Sequence, residues 1–238
     1  MPDPIRGILL IGPTGSGKSP QGMLIERRGG FRHFDFGAEL RAAAAGQGGL
    51  LPADVAFVGQ MLETHALLPD ERFGIAARLL DAFLIRTRFD RERERLVLNG
   101  LPRHAGQAQA LAARVRVEHV VVLEADAAAV RTRVARRRRG EGLDHAGRPD
   151  DSPEAIEHKL ALFARETEPL IAGYAAQPGV LISRVRVEAD AADEELHETI
   201  AKLLQRPQST QRRKGRRVSP RMPRIGKGRE RDEGGKSQ

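Results

Sequence analysis

Apolar residues follow two rhythms along the chain. Short β-like runs at 5–11, 95–98, 118–123 and 180–187 have the length of buried strands, and a fifth, short strand is expected at 32–35. Between them, apolar positions recur at helical spacing over 18–28, 38–45, 54–64, 70–88, 107–114, 127–139, 153–176 and 191–204. This alternation predicts an α/β fold: a five-stranded parallel sheet covered by helices in three layers, with ligand sites beyond the strand C-termini. Two stretches depart from it. Residues 37–69 insert helices without adding an obvious strand, and GEGLDHAGRPDD at 140–151 is a polar, Gly-rich excursion inside a helical region. Each has the composition of a flap over a site. No repeat of solenoid period is present.

The 238 residues are 40% hydrophobic, enough to fill one substantial core, and a single domain over 1–205 is the simplest expectation. The formal net charge of +8 suggests a nucleic-acid binder until it is divided along the chain. Residues 206–238 hold 12 Lys or Arg against 3 acids, or +9, which leaves 28 basic and 29 acidic residues, or −1, for 1–205. That last stretch is rich in Pro, Gly and Ser and lacks a periodic apolar face, so it is expected to be a disordered basic tail. Its cations suit non-specific contact with RNA or DNA. The absence of cysteine excludes a disulfide framework and thiolate metal sites and suits a reducing cytoplasm. No apolar run approaches the roughly 20 residues of a membrane span, and the N-terminus lacks a signal-peptide pattern, so a cytoplasmic protein away from membranes is expected.

The stretch from Gly12 to Ser19 satisfies G-x-x-x-x-G-K-[ST] and joins an apolar strand to a helix. Gly12, Gly15 and Gly17 let backbone N–H groups converge on phosphate oxygens, to which Ser16 adds its own. The following helix adds a positive dipole, and Lys18 brings a cation to the β and γ phosphates. Ser19 is placed to meet a Mg²⁺ ion carried by those phosphates. Pro20 falls in the first helical turn, where its missing N–H does little harm. The loop predicts a nucleoside triphosphate ligand.

Residues 99–107, NGLPRHAGQ, follow the third strand and space Arg103 and Gln107 four apart. With the phosphate loop GPTGSGKSPQ, the segment Asp35-Phe36-Gly37-Ala38-Glu39-Leu40-Arg41, LLPDE at 67–71, the arginine-rich stretch at 133–137, GRPDD at 147–151 and ETEPLI at 166–171, these residues make the chain resemble the adenylate kinase family of nucleoside monophosphate kinases. The motifs follow in the family's order over nearly all of 5–204, and GRPDD so soon after the arginines resembles the short-lid form. The resemblance implies transfer of the ATP γ-phosphoryl to a nucleoside monophosphate, AMP first among them, with Mg²⁺ and by a monomer. Residues 37–69 would bind the acceptor and 140–151 would form the lid, together keeping water from the phosphoryl group in flight.

Position by position, the resemblance gives Arg41 and Arg103 the acceptor phosphate, which guanidinium groups grip bidentately. Gln107 would read the acceptor base, with Phe36, Ala66, Leu67, Leu68 and Gly100 beside it. Arg133 and Arg137 would clamp the donor phosphates with Gly12 to Pro20. Arg148 and Lys159 would spread charge over the group in transfer.

The family pattern is broken where charge matters. Asn99 replaces the acid of D-G-[FY]-P-R, and Ala38 replaces the acid of S-T-G-D-x-L-R; both acids are expected to hold waters around magnesium. In the second motif Asp35 stands at the serine and Phe36 at the threonine. Lys159 stands for an arginine and Pro20 for a threonine. Asp35 compensates for the lost acids only if its strand turns it toward the loop. Asn99 reads equally well as a strand-end cap or as a group that orients water. Losing acids around a metal costs about 10- to 100-fold in affinity or activity, which permits a slow enzyme or a catalytically weak nucleotide binder that signals by closing its lid. A nucleic-acid-associated P-loop protein is a third class, supported by the tail. The seven histidines lack metal-ligand spacing, so no zinc site is expected, and His33, His65 and His104 read as structural or solvated.

Overall fold

The computed structural model describes residues 3–143 and 152–205. Five strands form one parallel sheet in the order β2-β3-β1-β4-β5. They are β1 (Ile5–Ile11), β2 (Phe31–Asp35), β3 (Arg95–Asn99), β4 (Val115–Glu124) and β5 (Leu181–Arg186). The helices are α1 (Lys18–Arg27), α2 (Phe36–Ala44), α3 (Pro52–Glu63), α4 (Phe73–Arg86), α5 (Ala105–Ala112), α6 (Ala127–Arg138), α7 (Pro153–Leu162), α8 (Pro169–Ala175) and α9 (Asp193–Leu204).

The apolar run at 8–11, which ends β1, reflects the strand's central place. Alternate side chains enter opposite cores: Leu9 and Ile11 join one cluster with Phe34, Leu79, Leu98 and Leu101, while Ile8 and Leu10 join another with Ile25, Val121 and Ile200. A parallel strand covered on both faces has no reason to alternate polar and apolar residues. Strand order reverses at β1, because the chain leaves it toward β2 and β3 on one side and reaches β4 and β5 on the other. The crevice outside the strand C-termini at such a reversal is where α/β sheets bind ligands.

Several boundaries differ from the sequence expectation. Strand β4 begins at Val115, because Arg116 and Glu118 interrupt the apolar run while Val115 and Val117 still turn inward. Helix α2 begins at Phe36, directly after Asp35, whose side chain caps it by accepting from Ala38 N–H at 3.0 Å. The expected helix over 70–88 is a 3₁₀ turn at Asp70–Arg72 followed by α4. The single helix over 153–176 is interrupted by a π turn, Phe163–Thr167, in which Glu168 N–H reaches back to Phe163 C=O at 2.8 Å. Pro169 lacks the N–H that would continue an α register, so the ladder slips by one residue there.

Candidate active site

The phosphate loop occupies the turn between β1 and α1. Gly15 and Gly17 adopt φ of +74° and +91°, the left-handed region that glycine enters without a Cβ penalty. Gly12 is required for a different reason, since a Cβ there would lie 2.7 Å from the Leu123 carbonyl and 2.6 Å from Ser16 Oγ. Lys18 Nζ donates to the carbonyls of Gly12 and Pro13 at 2.6 Å each and approaches Ser16 Oγ at 3.5 Å. The loop thus holds its own cation folded over it, and the first turn of α1 carries no acid that would oppose an anion.

Behind the loop, Asp35 and Asn99 end adjacent strands in direct register. Ser19 Oγ donates to Asp35 Oδ2 at 2.6 Å, and Asn99 Nδ2 donates to the same oxygen at 2.8 Å and to Ser19 Oγ at 3.1 Å. The strand therefore turns Asp35 toward the loop, the orientation that the sequence left open. Among the described residues, no group of three His, Cys, Asp or Glu could hold a metal by itself.

The facing wall comes from α2, the end of α3, the segment before α4 and the β3–α5 turn. Gly100, at φ +80°, lies where a Cβ would meet Arg103 Nη2 at 3.7 Å and Gly37 N at 3.8 Å, and a Cβ on Gly37 would lie 3.4 Å from Arg41 Nη1. Arg41 and Arg103 are thereby gathered around the Gly37–Gly100 junction. Gln107 is 1% exposed, and its amide orientation is fixed from both ends: Oε1 accepts from Arg103 N–H at 2.8 Å and Nε2 donates to Leu68 C=O at 2.7 Å. One amide hydrogen and one lone pair are left over from those two bonds. The Leu68 carbonyl also receives His104 Nε2 at 2.9 Å, which fixes that tautomer because a carbonyl only accepts. Phe36 is 3% exposed and stacks on Phe34 with ring centroids 6.1 Å apart, so its ring belongs to the core wall.

Arg133 is held differently from the sequence expectation of a phosphate clamp. Its Nε donates to Gly15 C=O at 3.2 Å, Nη1 to Ala191 C=O at 2.7 Å and Nη2 to Asp193 Oδ1 at 2.8 Å. Arg133 and Asp193 are each about 10% exposed at the side chain, which removes the pair from most solvent screening. Asp193 also accepts from Leu143 N–H at 3.4 Å through Oδ2, and its carbonyl accepts from Gln21 Nε2 at 2.7 Å. Arg137 is buried at 8% exposure.

A single cleft of about 360 Å³ collects the loop residues Gly12, Gly15, Gly17, Lys18, Ser19 and Pro20, the wall residues Phe36, Arg41, Ala66, Leu67, Leu68, Gly100, Arg103 and Gln107, and the cations Arg133, Arg137 and Lys159. Ser16 lies beneath it, fully buried. Arg148, most of the 140–151 stretch and the tail lie outside the described residues. The sequence did not single out Ala191, Ala192 or Asp193, which also line the cleft, and it pointed to Glu141 and Thr167 only as members of the 140–151 and 166–171 segments. His65 lines it too, and His104 supports it from behind through the Leu68 carbonyl, the structural role read from the sequence. Nothing in local sequence marks Asp193, an acid in the first turn of a surface helix, as the partner of an arginine 60 residues away.

The family described as "AAA domain" matches residues 11–157. Among curated relatives, the adenylate kinase of Synechococcus sp. (strain CC9311) is 31% identical over 205 residues, spanning 83% of this chain and 97% of the relative. That of Methylobacterium nodulans is 32% identical over 185 residues, spanning 73% and 85%, and that of Xanthomonas oryzae pv. oryzae (strain MAFF 311018) is 31% identical over 206 residues, spanning 84% and 99%. A phosphate loop on the central strand of a parallel sheet, opposed across one cleft by clustered arginines, defines a P-loop phosphotransferase. Over most of its length the chain matches one branch of that class, the nucleoside monophosphate kinases. It belongs to the adenylate kinase family.

Proposed function

We propose that the protein transfers the γ-phosphoryl group of ATP to AMP, forming two ADP, and that it acts as a cytoplasmic monomer. The observation that carries this reading is that the phosphate loop and the Arg41–Arg103–Gln107 wall face one another across the same cleft. Two polyanions brought together need cations on both, and the cleft supplies them from opposite sides. Lys18, now hydrogen-bonded to the loop's own carbonyls, is the group that moves onto donor β and γ oxygens. Arg41 and Arg103 hold the acceptor phosphate so that its oxygen lies in line with the γ-phosphorus. Arg137, with Lys159 and Arg148, offsets charge on the group in transfer. Arg133 acts first by fixing the loop through Gly15 and Asp193.

The acceptor base falls to the wall around Gln107, with residues 37–69 as the acceptor-binding insert. The remaining hydrogen and lone pair of the Gln107 amide suit the donor–acceptor edge of adenine. Backbone groups for the base come from Ala66, Leu67 and Leu68, of which the Leu68 C=O already serves Gln107 and His104. Residues 140–151 serve as the lid. Magnesium fits the oxygen donors present, because Mg²⁺ in such sites is held largely by phosphates and water with few protein ligands, and Ser19 offers a hydroxyl where those phosphates would lie. When bound, the ion would neutralise charge on the donor phosphates. With neutral residues at 38 and 99, turnover is expected to be modest. A steady-state screen of AMP, CMP, GMP, UMP and dTMP with Mg-ATP tests the assignment: AMP is expected to turn over fastest, and a pyrimidine acceptor ahead of it would refute the role given to Gln107.

A further inference from the structure

The adenylate kinase pattern places acids at two positions that are Asn99 and Ala38 here, and a serine at a third that is Asp35. In the fold these substitutions are one local arrangement. Asp35 and Asn99 are register partners at the C-terminal ends of β2 and β3, so their side chains leave neighbouring strands at the same level, beneath Ser19 of the loop. The Asp35 carboxylate accepts from Ser19 Oγ at 2.6 Å and Asn99 Nδ2 at 2.8 Å on Oδ2, and from Ala38 N–H at 3.0 Å on Oδ1. A carboxylate so held is fixed in direction.

The identity of residue 99 follows from that of residue 35. An aspartate at 99 would bring a second carboxylate within about the 2.8 Å that now separates Asn99 Nδ2 from Asp35 Oδ2, and two anions at that distance do not both stay charged. An asparagine there instead donates to the carboxylate. The pair therefore carries one acid, supplied from β2 in place of β3. With its proton committed to that acid, Ser19 presents oxygen to a cation, and a hydroxyl beside a carboxylate is a hard oxygen set of the kind Mg²⁺ takes. Ala38 contributes its backbone N–H to the same carboxylate where a side-chain acid has been lost.

Resting on the kinase reading above, we propose that Asp35 is the carboxylate serving the divalent cation of the donor nucleotide, in place of the acids absent at 38 and 99, and that Asn99 is its positioning residue. The metal-side charge of this chain has moved by one strand.

The test uses Mn²⁺ as a spectroscopic substitute, titrated by electron paramagnetic resonance into the full-length protein loaded with a non-hydrolysable ATP analogue. Asp35→Asn keeps a residue that caps α2 well, and Asp35→Ser is a second capping variant should the first fail to fold, checked by circular dichroism. Either is expected to weaken Mn²⁺ binding about 10- to 100-fold while the analogue binds in EDTA as tightly as, or more tightly than, to the wild type. Asp35→Asn with Asn99→Asp returns one acid to the pair from the other strand and is expected to recover most of the lost affinity. Asn99→Asp alone is expected to bring no gain. Unchanged Mn²⁺ affinity in the Asp35 variants, with the analogue bound, would overturn the proposal, and a double variant no better than Asp35→Asn would overturn the exchange of roles. Failure of the wild type to bind the analogue would instead sink the kinase reading beneath it.

Discussion

At the scale of single residues, the site depends on side chains whose hydrogen bonds are already committed before any nucleotide arrives. Lys18 is the clearest case, because its ammonium lies against the carbonyls of Gly12 and Pro13, and the proposed reaction has it exchange them for phosphate oxygens. Lys18→Ala is expected to fold normally, as judged by its melting curve, and to lose at least about 100-fold in kcat, the scale on which a lost charge-stabilising donor is felt. Gln107 is committed in a way that predicts selectivity. Gln107→Ala leaves Arg103 N–H without its acceptor and removes the amide proposed to read the base, each worth about 1–3 kcal/mol when buried. The expected outcome is a rise in KM for AMP of roughly 5- to 150-fold with a much smaller change in KM for ATP, measured by varying one substrate at a time. These two residues were legible from motif spacing. The Arg133–Asp193 pair was not, because it joins α6 to α9 by tertiary approach, and an arginine in an Arg-rich helix looks the same whether it clamps a phosphate or ties down a loop.

At the scale of elements, apolar runs marked β1, β3 and β4 because strands covered on both faces leave hydrophobic stretches, whereas the edge strands β2 and β5 carry polar residues among few or alternating apolar ones. The helix over 153–176 shows where that pattern stops informing. Apolar spacing does not record the slip to a π turn at 163–167, although Pro169 marked the place where the backbone ladder had to change. The β1–β4 contact yields a prediction of its own. A Cβ at residue 12 would come within 2.7 Å of Leu123 C=O, a backbone atom of the neighbouring strand that has little room to move. Gly12→Ala is accordingly expected to lower the stability measured by urea titration by about 1–3 kcal/mol, the usual penalty of overpacking, and to weaken ATP binding with it. The β4–β5 contact sets a pH dependence. His119 donates to or accepts from Ser183 Oγ at 2.9 Å, and burial, aided by the Arg95 charge, lowers its pKa from 6.5. A histidine kept neutral by the fold contributes stability that is present in full above its unfolded value of 6.5 and is lost as pH falls from there through the folded value. His197 shifts the same way, first through desolvation and then through Arg28. Urea midpoints taken from pH 8 down to pH 5 are expected to fall below about pH 6.5, and to fall less in His119→Gln.

At the scale of the whole molecule, residues 1–205 carry nearly balanced charge, while 206–238 carry +9 by count of their 12 basic and 3 acidic side chains. Charge of that density binds polyphosphates through counterion release and without base readout. A chain ending at Gln205 is expected to keep its kinetics and lose retention on a low-salt RNA column, whereas tight RNA binding by the shortened chain would put the basic surface in the folded part. Among the described residues no helix is long and apolar enough to cross a membrane. Phosphoryl transfer across the cleft, between the phosphate loop and the proposed acceptor wall, is the step on which the proposed activity depends. It is tested most directly by supplying γ-labelled ATP and unlabelled AMP in equal amounts with Mg²⁺ and following the label. The account predicts label in the β-position of ADP, formed two for each ATP consumed. Label released only as inorganic phosphate, or ATP left intact while both nucleotides bind, would contradict it.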